Sequence, residues 1–246
     1  MSEAQALSPS RGSLRPQTGA FFDMDKTLIS ENSGALLMRY QYERGEASGW
    51  DLATGLASYL RYKIGALDIE SWTAEMASQF AGRRESDLID EAREWFKERV
   101  APTIYPEARE LVTSHLEQGH VVAIVSGATR FVTEPMAASL GVAHFLCTRV
   151  AVEQGCLTGK VVSPVCFEEG KVYWLERFVA EHNIDLAKSW FYTDSVTDLP
   201  VLERVGHPVV TNPDPLLYLA AVRRHWPVRF FTPPDQEANR AESAKV

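Results

Sequence analysis

Hydrophobic and polar positions change rhythm several times along the chain. Ala20-Phe21-Phe22 is a short apolar run that stops abruptly at Asp23. Such a run reads as a buried strand, which places Asp23 and Asp25 just beyond its carboxyl end. From about residue 33 to 100 apolar residues recur at spacings of three and four, as in Leu88, Ile89, Ala92, Trp95 and Phe96, and prolines are scarce, so this block is predicted to be helical. Pro102 and Pro106 end it. Residues 106–118 suit a further helix, opened by Pro106 and stopped by Gly119.

Beyond that point strands and helices alternate. Residues 121–125, 145–150, 190–193 and 208–211 read as strands, and residues 130–140, 170–182 and 199–205 as helices. Gln154-Gly155 predicts a hairpin turn between residues 149–152 and 157–162, both rich in β-branched side chains. The alternation predicts an α/β protein with a doubly wound parallel sheet. The expected division is a core of residues 19–30 and 104–232, a helical insertion over residues 31–103, and polar tails at 1–18 and 233–246.

Composition narrows the classes. With 246 residues, 45% hydrophobic and 24% charged, the chain can bury a sizeable core as one domain with an insertion or as two modest domains. No apolar stretch approaches the roughly 20 residues that cross a bilayer, so no membrane partner is expected. Residues 1–18 lack the apolar core of a secretory signal, and a cytoplasmic location is expected. Cys147, Cys156 and Cys166 show no Cys-x-x-Cys spacing and read as reduced thiols; the six histidines show no metal-ligand spacing. A formal charge of -8 gives no reason to expect nucleic acid, and Arg223-Arg224-His225 reads as a solvated helix end.

The candidate chemistry sits where strands end. Asp23 and Asp25 are two carboxylates one residue apart, suited to sharing a divalent metal. One can attack phosphorus and carry it as an acyl phosphate, while the other protonates the leaving oxygen and then deprotonates water. The strand ending at Val125 runs into Ser126-Gly127, where a hydroxyl and exposed amides at a helix start suit a phosphate oxygen. The strand 190–193 runs into Asp194, with Asp198 four residues on. Asp194 is an expected ligand of magnesium, which prefers oxygen donors, beside the Asp23 carboxylate and the Asp25 main-chain carbonyl, with Asp198 orienting waters or a lysine. Lys171 supplies a fixed positive charge that offsets repulsion between clustered carboxylates and a phosphoryl dianion.

Asp23-Met24-Asp25-Lys26-Thr27, then Ser126, Lys171 and Asp194 with Asp198, in this order, resemble the four motifs of the haloacid dehalogenase superfamily of phosphatases. The resemblance covers most of residues 19 to 215, and the layout is similar to the phosphoserine phosphatase-like subfamily. It implies a Rossmann-like sheet with a small helical cap, magnesium dependence, a phosphoaspartate on Asp23, and closure of the cap over substrate. Thr27, Ser126, Gly127 and Lys171 are then expected to bind the phosphate of a small phosphorylated metabolite, in a monomer or homodimer. Two departures stand out. The acidic residue that helps phosphoserine phosphatases hold the substrate amine falls on Asn32, and Ser195 and Thr197 replace the usual glycine and asparagine. Among cap residues, Asn32 and Arg61 are the candidates for substrate contact, with Glu31, Met38, Arg39, Lys63, Met76 and Arg83 also in range. A phosphotransferase or phosphomutase, or a non-catalytic phosphate-binding module, would use the same residues; Asp25 argues against a dehalogenase.

Overall fold

The computed structural model describes residues 15–50, 53–54, 57–58 and 68–235. Six strands, β1 (Gly19–Phe22), β2 (Val121–Thr129), β3 (His144–Thr148), β6 (Trp190–Thr193), β7 (His207–Thr211) and β8 (Val228–Arg229), form one sheet in the order β3-β2-β1-β6-β7-β8. Every pairing is parallel, so each neighbour is reached by a crossover rather than a tight turn. The central strands are near-continuous apolar runs because both faces are covered.

Side-chain alternation splits those strands between two cores. Ala20, Phe22, Val122, Ile124 and Tyr192 face one side, where α4 (Pro106–Glu117) and α5 (Arg130–Ser139) contribute Ala108, Val112, Val132 and Met136. Phe21, Ala123, Val125, Phe191 and Val210 face the other, against α6 (Glu169–Glu181), α7 (Leu199–Leu202) and α8 (Pro215–Arg224). The sheet is therefore doubly wound, as the alternation of elements predicts.

Between β1 and β2 the chain inserts α1 (Ser33–Glu43), α2 (Ile69–Ser78) and α3 (Glu85–Trp95). Asn32 and Asp68 cap the first two by accepting from the Ala35 and Ser71 amides. A π-helical turn, Phe96–Val100, and a 3-10 turn, Ala101–Thr103, lead back to the core. Trp95, Phe96 and Val100 are buried in the first core and anchor the insertion.

Several boundaries differ from the pattern-based expectation. The strand expected over residues 145–150 ends at Thr148, and β4 (Val150–Glu153) turns away to pair antiparallel with β5 (Cys156–Val161). The turn falls at Gln154 and Gly155, both at positive φ (50° and 78°), as a tight hairpin requires. This hairpin docks on the insertion: Leu157 N donates to Arg83 O at 2.9 Å, and Gly82 N to Leu157 O at 2.8 Å. The helix expected over 199–205 is a 3-10 turn, Val196–Asp198, followed by the single turn of α7. The helix is capped at Glu203, and the chain then passes close to the Ala187 carbonyl at Gly206, where an added Cβ would clash with that oxygen. β2 extends past residue 125 to Thr129 with a register shift after Ser126. β8 has only two residues, too few for a periodic signal.

Candidate active site

Register brings the three strand tips side by side. Phe22 is level with Ile124 on β2 and with Tyr192 on β6, so Asp23, Ser126 and Asp194 all emerge at the carboxyl edge of three adjacent strands. Open parallel sheets bind ligands at that edge. Asp23 N donates to Tyr192 O at 2.9 Å, and the chain then turns sharply, with Lys26 at φ 62° and Leu28 N donating to Met24 O at 2.8 Å.

Lys171, 3% exposed, joins the motifs. Its Nζ donates to Asp23 Oδ1 at 2.6 Å and to Asp198 Oδ2 at 2.8 Å. Thr193 Oγ1 donates to the same Asp198 oxygen at 2.6 Å. Burial disfavours the ammonium, but Asp198 and Asp23 together outweigh it and hold Lys171 protonated, well above its usual range. Burial likewise pushes the Asp23 carboxyl up, to about 6, against the opposing pull of Lys171.

Asp25 has a separate cradle. Ser33 donates through N and Oγ to its two carboxylate oxygens, each at 3.1 Å, and Asn32 Nδ2 donates to Oδ2 at 3.0 Å. Burial, then the Asp23 charge, raises Asp25 to about 7, with the Ser33 donors opposing. Held near neutrality, a carboxyl can both give and take a proton. Asn32, expected to face substrate, has its side chain committed to Asp25 and to the α1 cap.

Ser126 is 2% exposed, and its Oγ accepts from Ala128 N at 3.2 Å. Gly127 is exposed at the tip, its carbonyl held by Thr148 Oγ1 at 2.7 Å. An added Cβ there would meet Cys166 O at 3.5 Å, an ordinary contact, so packing alone does not demand glycine. Ser195 lies at φ -111°, ψ 137°, which any residue adopts, and this explains why the loop tolerates serine where the resemblance has glycine. Arg61 and Lys63 lie outside the described residues. Arg39 and Arg83 are on the surface, paired with Glu43 and Glu91. Ser33 and Thr193 were absent from the sequence-based set: Ser33 had no signal beyond following Asn32, whereas Thr193, as the last residue of its strand, could have been found from strand period.

The donors suit magnesium. Asp23 and Asp194 are both 7% exposed, and Thr27 Oγ1 and Asp198 Oδ1 are buried polar atoms with no hydrogen-bond partner. Buried polar atoms are normally satisfied, so these two orphans on the motif segments are compatible with an oxygen-rich, hydrated guest. Among the described residues no three Asp, Glu, His or Cys side chains gather as a ready metal cage. The expected ligand set contains only two carboxylates and completes itself with a main-chain carbonyl, which matches magnesium's habit of keeping several waters.

The family model of haloacid dehalogenase-like hydrolases matches residues 20–203, and the chain belongs to that family. Its class is that of a phosphatase on a phosphoserine phosphatase-like scaffold. A probable phosphatase of Mycobacterium tuberculosis is 31% identical over 223 residues, covering 89% of this chain and 77% of the relative. A histidinol-phosphatase of Neisseria meningitidis is 30% identical over 217 residues, covering 86% of this chain and 98% of the relative. A solved phosphoserine phosphatase, captured as a phospho-aspartyl intermediate analogue, superposes with a TM-score of 0.65 at 19% identity, covering 92% of this chain and 99% of that one, a likeness of fold. No helix among the described residues is long and apolar enough to cross a membrane.

Proposed function

We propose that this protein hydrolyses a small-molecule phosphomonoester through a phosphoaspartate on Asp23. The Asp23 carboxylate attacks phosphorus, a P–O bond to Asp23 forms, and the ester P–O bond breaks. Asp25 gives its proton to the departing alcohol oxygen. A water then attacks the phosphoaspartate while Asp25 takes back a proton, releasing inorganic phosphate and restoring both carboxyls. Lys171 keeps Asp23 aligned and offsets the charge of the incoming phosphate, while Thr27, Ser126 and the Gly127 amide receive phosphate oxygens. Bound through Asp23, Asp194 and the Asp25 carbonyl, Mg2+ would supply charge neutralisation for the transferring phosphoryl group. The helical insertion acts as the cap that excludes water during the first step.

The observation that carries this reading is the convergence of Asp23, Lys171 and Asp198, from three distant segments, at the strand edge that also presents Asp25 on its own donors. Because the Asn32 side chain is committed to Asp25, an amine-bearing substrate finds no acid at that position, and serine phosphate is not the favoured ester. The test is magnesium-dependent phosphate release across a panel of small phosphate esters that includes phosphoserine and histidinol phosphate, with Asp23→Asn as control. Turnover of at least one ester by wild type and none by the variant is expected; equal turnover by both overturns the nucleophile.

A further inference from the structure

The loop that carries Asp194 is held from outside the four motifs. Asp214 N donates to Asp194 O at 2.7 Å. The Asp214 carboxylate divides its two oxygens: Oδ2 accepts from Val196 N at 2.8 Å, and Oδ1 accepts from Leu216 N at 2.9 Å and Leu217 N at 2.8 Å. An ordinary helix cap accepts from the first turn of its own helix and nothing more. Here one oxygen performs the whole capping function for α8, which leaves the other to reach back 18 positions to the loop between β6 and α7.

The neighbours of Asp214 fix its position. Pro215 occupies the first turn of α8, where its missing amide costs nothing. Asn212, at φ 44°, turns the chain off β7, and its Oδ1 accepts from Phe231 N at 2.9 Å, pinning the other side. Asp214 is thus seated on a ten-residue helix, and through two contacts it fixes the main chain of Asp194 and Val196. Within the loop Ser195 N donates to Thr193 Oγ1 at 3.2 Å, and that hydroxyl in turn donates to Asp198. A shift at residues 194–196 therefore propagates both to the Asp194 carboxylate and to the Lys171 partner.

We propose that Asp214 is a positioning residue for the metal-binding loop: by tying Asp194 and Val196 to the start of α8 it sets the affinity of the site for a divalent cation. The inference rests on the magnesium-dependent reading above. Outer partners that orient metal ligands are worth about 10- to 100-fold in metal affinity, and charge-assisted bonds to main-chain amides are among the stronger ones.

The experiment uses the full chain and measures Mg2+ binding directly by titration calorimetry, together with thermal unfolding and the Mg2+ dependence of phosphate release. Asp214→Ser keeps a capping oxygen for α8 but is too short to serve Val196 as well. Asp214→Asn keeps one carbonyl oxygen for the cap and turns an NH2 group toward the Val196 amide. Both are expected to unfold within a few degrees of wild type in excess Mg2+, to bind Mg2+ about tenfold more weakly, and to regain most of their kcat when Mg2+ is raised, a recovery that a merely structural lesion would not show. Mg2+ affinity within twofold of wild type in both variants overturns the clamp. If Asp194→Ala leaves Mg2+ affinity unchanged, the metal reading itself falls, and the clamp with it.

Discussion

Lys171 and Asp23 stand 148 positions apart in the chain, yet the ammonium donates to the carboxylate at 2.6 Å with both side chains at least nine-tenths buried. Buried charges are tolerated only in pairs, because removing one partner strands the other away from water. Lys171 serves two carboxylates at once, so Asp23, Lys171 and Asp198 are held together as one buried unit.

Lys171→Met should therefore cost more than activity. It leaves two buried carboxylates facing each other, an expected loss of about 3–5 kcal/mol in urea unfolding of metal-free protein. Adding Asp198→Asn to that variant should restore a large part of the stability and none of the phosphate release. Full stability in Lys171→Met alone contradicts the triad.

Gly170→Ala tests how tightly that lysine is placed. An added Cβ would fall 1.8 Å from Val165 O, a main-chain atom that cannot step aside cheaply. The start of α6 must shift and carry Lys171 with it. A destabilisation of about 2 kcal/mol or more is expected, together with a drop in kcat larger than the change in KM; unchanged unfolding midpoint and kcat count against this packing.

Asn32→Asp restores the acid that the phosphoserine phosphatase-like pattern has at this point. In this chain it sets a carboxylate against Asp25, at the 3.0 Å position where an amide NH2 now donates. The expected result is at least about a tenfold loss of kcat/KM on every ester, through a misplaced and overprotonated Asp25. A gain on phosphoserine instead would show that residue 32 addresses substrate.

His115, packed under the strand that ends at Asp23, gives a pH dependence of stability. Its Nε2 meets Tyr192 OH and its Nδ1 meets His120 Nδ1, both at 2.8 Å, and burial lowers its pKa from 6.5 to about 4. Between those values the unfolded chain binds more protons than the folded one, so stability present above pH 6.5 is lost as pH falls toward 4. The advantage of wild type over His115→Gln in unfolding free energy should shrink by roughly 1–3 kcal/mol between pH 7.5 and 4.5. A constant advantage refutes a neutral buried imidazole.

How much was legible beforehand follows from the range of each interaction. The buried strands at residues 20–22, 121–125 and 190–193 show as apolar runs because both of their faces are covered. Asp23, Ser126 and Asp194 show as the polar residues that end those runs. The hairpin turn shows at Gln154-Gly155 because positive φ selects particular residue types. What did not show is where that hairpin docks: its partners at residues 82–85 lie some seventy positions away, and main-chain hydrogen bonds leave no mark on side-chain pattern. Asn32 shows the same limit, since a polar residue at the mouth of an insertion is compatible with substrate or with Asp25 until coordinates place its amide.

The sequence by itself determined the doubly wound sheet, the order of the four motifs and the polar residue types that end the buried strands, because strand burial and strand ends are local properties written in side-chain polarity. Tertiary structure alone decided that Ser33 and Asn32 hold Asp25, that Lys171 spans two carboxylates, and that Asp214 grips the Asp194 loop. Those are contacts between segments whose separation in the chain carries no periodic signal, and only the register of the folded sheet and the packing of helices on it brings them within hydrogen-bond reach.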